Sequence, residues 1–323
     1  MHTRNPFLGA LGALALLSPL TTSVPAVSAS SDDQTVTVRA ARLERGPDIV
    51  GPHLKGHTVV DGDVRVKVRA DHVFLLGPTD GGYVVEVIRD GRSRTLVVAP
   101  DEDERALVKG SAAQVRLSGD GETLAVIRRV TRRTVIRIRS VADRALLAEE
   151  SFGRYPELLD LDGDRLLVTR YDGGAVAFDF RAGTRRRVTD QRVHAADLAT
   201  NRLAYYTADP YEGGCTVVAP LDRPTNVQWT SCDERVHAFS PDGSRMATVD
   251  KLADGAGPGQ VWERTVRGRL LGSYRVTGYF GQVWWETTRD LLLEAWGRRK
   301  GATVRCSEGD CERVTAVRST PEL

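Results

Sequence analysis

The chain has 323 residues, with 45 Lys and Arg against 43 Asp and Glu and a formal net charge of +2. The two signs are interspersed, which argues against the broad basic footprint of a nucleic-acid or anionic-membrane binder. No stretch approaches about 18 consecutive apolar residues, which argues against a membrane-spanning helix, and the length is ample for a large core.

The N-terminus reads as an export signal. Arg4 gives a weakly positive start, residues 7–17 (FLGALGALALL) form an apolar run, and Pro19 and Pro25 break it. Val27, Ser28 and Ala29 then supply small residues for cleavage after Ala29. The run is short for a bilayer span, and an uncleaved anchor is the competing reading. No Cys follows it, which argues against lipid attachment.

From residue 35 onward, runs rich in Val, Leu and Thr alternate with Gly, Asp and Pro, and no long segment has a helical period. One unit recurs: VRLSGDGETLAVI (115–127), LLDLDGDRLLVT (158–169), AADLATNRLAYY (195–206), AFSPDGSRMATV (238–249) and VWWETTRDLLLEA (283–295). VRVKVRADHVFLL (64–76) is a degenerate copy. Each is followed by a loop, a third strand, a tight turn and a fourth strand, as in AVAFDFRAGTRRRVT (175–189). A period of about 40 residues with four short strands predicts an all-β fold, a β-propeller of four-stranded antiparallel blades. Six visible copies favour six blades. A seventh, built from residues 30–60 with the C-terminal strand, is the alternative.

The SPDGSRMAT and SGDGETLAV turns in this period resemble the TolB-type, WD-repeat-like propeller repeats of bacterial exported proteins. The resemblance spans roughly residues 60–315 and implies a fold more than an activity, because such repeats serve scaffolds, binding proteins and enzymes alike. The chain divides into a cleaved signal peptide at 1–29, an N-terminal segment at 30–60 with a ring-closing strand near 35–40, and a propeller at 61–323. Cys215, Cys232, Cys306 and Cys311 are even in number in an exported chain, which favours disulfides. A hairpin at 215–232 and a tight turn at 306–311 pair Cys215 with Cys232 and Cys306 with Cys311.

Propeller geometry puts the long loops on one face. Tyr155, Tyr171, Tyr206, Tyr211, Tyr279, Phe280 and Trp296 gather there, with Arg154, Arg170 and Arg298 among them. Aromatic and Arg side chains on scaffolded loops suit recognition, although the aromatics also fit packing under their own loops. On the first strands, Glu157, His194, His237 and Gln282 align as a polar partial ring at the channel mouth. No nucleophile elbow, zinc-protease or phosphate-loop motif occurs, and the DLDGD run (160–164) is followed by Arg165 and Tyr171 where a calcium loop needs Gly and Glu. The expected function is therefore a secreted, monomeric, non-enzymatic propeller that binds a protein or cell-envelope glycan through its long-loop face. No cofactor, metal or nucleic acid is expected. The alternatives are a hydrolase or lyase working at the channel mouth, and a purely structural assembly scaffold.

Overall fold

A strand apolar at every position needs cover on both faces, because successive side chains point to opposite sides. In the strand Thr123–Val130, Leu124 and Val126 enter one apolar cluster, while Ala125 and Ile127 enter the next. Leu166 and Val168 likewise face one neighbour while Leu167 faces the other. Leu291 and Leu293 separate from Leu292 in the same way. Sheets stacked face to face around an axis meet this requirement, and the structure adopts that arrangement.

The structure is a computed structural model that describes residues 35–108, 112, 114–130, 133–153, 155–171 and 173–321. The expected signal peptide lies outside them. Blade 1 has three antiparallel strands, His53–Lys55, Thr58–Asp61 and Val64–Lys67. Blades 2 to 7 each have four, spanning 72–108, 114–150, 156–189, 193–231, 234–275 and 279–313. Blade 6 gains a fifth strand, Thr35–Thr37, parallel to Leu270–Arg275. Blade 7 gains Arg318–Ser319. The first strands of successive blades, from 1 to 7, pack against one another around the axis. Among the described residues, no helix is long and apolar enough to cross a membrane.

Seven blades correct the preference for six. Residues 64–76 are not the opening hairpin of one copy. Val64–Lys67 pairs back onto Thr58–Asp61, whereas His72–Thr79 pairs forward onto Gly82–Arg89. Between them the chain crosses from one blade to the next, with the Val68 N–H donating to His57 O and the Asp71 N–H to Ile88 O. The strand-like alternation runs through this crossing without Gly or Pro, so nothing local marks the boundary.

The Ser-x-Asp-Gly turns also join neighbouring blades. In blade 6 the Gly243 N–H donates to Ser240 O at 2.8 Å, and Asp242 Oδ1 accepts from the Ser244 N–H at 3.0 Å. Gly243 has φ 65°, and a Cβ there would lie 2.5 Å from Thr200 in blade 5. The Arg202 guanidinium reaches across to donate to Gly243 O at 2.7 Å. Blade 3 repeats the device: Gly121 has φ 74°, and Thr79 Oγ1 of blade 2 donates to its carbonyl at 2.8 Å. Glycine is needed here both for its φ and for the close approach of the adjacent blade.

The seam between blades 7 and 1 has a much smaller apolar cluster than the interface between blades 6 and 7. Fifteen buried residues fill the cluster joining blades 6 and 7. At the seam the cluster contains only Ile49, Leu292 and Val314, with Trp284 half-buried against them. Residues 44–50 lie along blade 7 instead, with the Arg313 N–H donating to Glu44 O and the Gly46 N–H to Arg313 O. Arg305 forks onto Glu286 and Glu312, and also donates to the carbonyls of Pro47 and Asp48. Glu286 in turn accepts the Val50 N–H. The Glu286 side chain is 2 % exposed and that of Arg305 12 %. Removing one partner leaves a buried charge uncompensated, so Arg305→Met is expected to cost about 3–5 kcal/mol in urea denaturation. The double variant Arg305→Met/Glu286→Leu should recover part of that loss, because it leaves no uncompensated carboxylate at that position.

Candidate functional site

The first strand of a blade starts at the long-loop face and runs along the axis. In blades 2, 4, 5, 6 and 7 this strand carries a β-bulge, at Leu76, Leu159, His194, His237 and Gly281–Gln282. A bulge adds a residue and re-aims its side chain. His194 and His237 occupy equivalent bulges. Glu157 falls two positions earlier, at the register position that Arg192 and Arg235 hold in their own blades, and is exposed. His237 and Gln282 line a cavity of about 1270 Å³ along the seam, with Leu54, Leu75, Trp284 and Arg313 among its walls. Neither Glu157 nor His194 lines it. Among the described residues, no three His, Cys, Asp or Glu side chains converge in a metal-binding group.

The two imidazoles differ in their surroundings. His237 keeps solvent access on the cavity wall, yet protein surrounds it on most sides. That burial, reinforced by Arg235, holds its pKa below the ordinary value. His194 stacks on Tyr206 at 4.2 Å between ring centroids. Part of the residue is exposed, but both ring nitrogens are shut off from solvent and lack a hydrogen-bond partner. Burial, then Arg235 and Arg192, lower its pKa from 6.5 to about 3. It is therefore neutral at physiological pH and packs as an aromatic ring.

The long-loop aromatics divide by burial. Phe280 is fully buried in the core between blades 6 and 7, and Tyr206 and Trp296 are nearly so. Arg318 covers the Trp296 ring at 5.1 Å, and Tyr279 is half-buried. Phe152 packs edge-on to Phe178 in the core. Tyr155, Tyr171 and Tyr211 are 67 %, 68 % and 70 % exposed. Arg298 is exposed on the turn between two strands of blade 7, Arg170 donates to Gly173 O, and Arg154 lies outside the described residues.

Tyr171 and Tyr211 are held locally, and Tyr155 has an unusual backbone conformation. Tyr155 sits at φ 50°, in the left-handed region. The Arg192 guanidinium lies 4.9 Å from the Tyr171 ring centre, within cation–π range. Tyr211 occupies the 3-10 turn Pro210–Glu212, capped by Asp209 Oδ1 accepting the Tyr211 N–H at 2.8 Å. Just beyond it, the Cys215–Cys232 disulfide ties this loop to the crossing into blade 6, and Lys251 Nζ donates to Gly214 O at 3.0 Å. Arg192 and Arg235 flank this surface, and the sequence reading missed both. Their signal was the repeated R-V-H-A at 192–195 and 235–238, in which the Arg, two residues before the His, recurs as faithfully as the His itself.

No protein-family model matches the chain, and no curated protein matches its sequence. Solved structures match its fold. The β-propeller domain of Cps50 (Swd1) from Myceliophteria thermophila aligns with a TM-score of 0.54 and 10% identity, over 80% of this chain and 89% of that one. An uncharacterized protein from Listeria monocytogenes EGD-e aligns at 0.50 and 11% identity, over 88% and 86%. TolB from Acinetobacter baumannii aligns at 0.44 and 10% identity, over 68% and 61%. At such identities the similarity defines the class, a β-propeller, and nothing finer.

The His194 environment has a pH signature. The unfolded chain protonates this ring near pH 6.5 and the folded chain only near 3, so stability present above 6.5 is lost as pH falls toward 3. The loss is about 1.4 kcal/mol per pH unit within that window. His194→Phe keeps the stack and removes two unpartnered nitrogens. Chemical denaturation from pH 4 to 7 should show a shallower acid loss for the variant, with no loss of stability at pH 7.

Proposed function

We propose that the protein is a non-enzymatic interaction module, exported after removal of residues 1–29, that binds a protein partner through its long-loop face. The observation that carries this reading is the trio of exposed tyrosines, Tyr155, Tyr171 and Tyr211, on loops anchored to blades 4 and 5. Tyrosines and arginines supply a large share of hot-spot energy in protein interfaces. A tyrosine already fixed by a cap or a cation–π contact loses little conformational freedom on binding. Arg192 and Arg235 add charged donors beside them, with no carboxylate partner among the described residues. The exported reading is supported by the Cys215–Cys232 and Cys306–Cys311 disulfides, which leave no free cysteine among the described residues.

A photo-crosslinking residue placed in turn at Tyr155, Tyr171 and Tyr211 in the producing cell tests the reading. Adducts of one discrete mass should form from these positions and not from Arg181, on the opposite face. Absence of adducts at all three, or the same adducts from Arg181, would sink it.

A further inference from the structure

A second feature of the long-loop face lies away from the tyrosines, where blades 6 and 7 meet. Two short segments, 38–42 and 297–300, wall a pocket of about 560 Å³. Its charged lining is Arg39, Arg42, Arg298, Arg299 and Lys300, and no acidic residue lines it. All five side chains are exposed, and none has a carboxylate partner among the described residues.

The backbone holds these cations together. Val38 and Ala40 are buried in the core between blades 6 and 7, and the Val38 N–H donates to Arg275 O at 2.7 Å. Arg39 projects between these two anchors, and Arg42 closes the 3-10 turn Ala40–Arg42 by donating its N–H to Arg39 O. On the facing wall the Gly297 N–H donates to Lys300 O at 3.0 Å, closing a tight turn. Thr320 pins that turn from outside, donating its hydroxyl to Gly297 O at 2.7 Å and its N–H to Arg299 O. Elsewhere the arginines of this chain are commonly paired, as in Arg137 with Glu149 and Arg185 with Glu150. Five like charges on fixed backbone repel one another, and a bound counter-charge relieves that repulsion.

We infer that this pocket binds a ligand carrying clustered phosphate groups. Charge density selects phosphate. A carboxylate brings one negative charge, whereas a phosphate group brings about −1.5 to −2 and three acceptor oxygens. Two or three phosphates therefore match five cations within a pocket of this volume, and the same match would take five carboxylates. Four of the five cations are arginines, whose planar fork fits phosphate oxygens two at a time. The site shares no residue with the tyrosine surface, so it stands whether or not that surface takes a protein partner.

Titration calorimetry with tripolyphosphate tests the inference on the folded chain. Wild type should bind, with affinity falling as salt rises, and inorganic phosphate should bind at least about ten-fold more weakly. Arg298→Gln/Arg299→Gln and Arg39→Gln/Arg42→Gln should each lose at least about ten-fold, with Arg181→Gln unchanged. All of these side chains are exposed and the pocket cations repel one another, so thermal stability should not fall in either double variant. Co-sedimentation with phosphatidylglycerol vesicles that both double variants lose would support a lipid headgroup as the source. Tripolyphosphate binding without co-sedimentation would support a soluble one. Failure of wild type to bind either probe overturns the inference. So would unchanged affinity in both double variants, or equal affinity for a hexaglutamate peptide.

Discussion

A ring of two-faced sheets is stable only when it closes, so the whole fold depends on the seam between blades 7 and 1. The other interfaces join consecutive blades, and those between blades 3 and 4 or 4 and 5 are filled by apolar clusters. The seam joins residues more than two hundred positions apart and has little apolar surface of its own. Hydrogen bonds close it: Arg305, paired within blade 7 to Glu286 and Glu312, donates across to the carbonyls of Pro47 and Asp48, and Glu286 accepts the Val50 N–H. Charged forks of this kind are directional, and they set register where three or four apolar side chains would allow sliding. Blade 1, with three strands in place of four, reaches its neighbour through the segment that Arg305 holds.

Closure places the proposed recognition surface. With the axis fixed, each loop between a second and third strand is carried on two hydrogen-bonded strands that cannot splay. Tyr211 is the clearest case: an Asp cap, a disulfide and a Lys251 contact from the next blade converge on one short loop. The disulfide joins the loop to the chain leaving for blade 6, so it links neighbouring blades at this face. Rigid presentation of a few large side chains is what a recognition surface requires.

Much of the fold was legible because it is written locally. The Asp-Gly turns at 120–121 and 242–243 mark hairpins, and the fully apolar second strands mark two-sided burial. The close spacing of Cys306 and Cys311 marks a hairpin bridge. The first blade escaped because its boundary at 68–71 carries neither Gly nor Pro. The candidate site was less legible for a related reason. Alignment brought His194 and His237 together correctly but put Glu157 in their row, whereas strand pairing matches it to Arg192 and Arg235, two residues earlier, and puts Leu159 level with the histidines. Burial was harder still. Tyr206 lies at the start and Tyr211 at the middle of one loop, yet one ring is stacked on a histidine and the other faces solvent.

Charge shows most plainly why composition misleads here. A formal net charge of +2 over 323 residues implies a surface on which the signs cancel. On the outer strands they do, through pairs such as Arg89 with Glu104 and Arg137 with Glu149. Cancellation there leaves the excess elsewhere. Five cations with no acidic residue in the lining gather where the N-terminal segment is laid against the GRRK turn of blade 7, and neither segment stands out when read alone. Segments more than two hundred and fifty residues apart meet because the chain must return to its start to close the ring. The basic pocket therefore stands beside the closure that makes the propeller possible. The 3-10 turn that holds Arg42 lies between the strand added to blade 6 and the segment clamped on blade 7. A ligand bound across it would bridge the same two parts of the chain, and stability and binding at this edge are expected to be coupled.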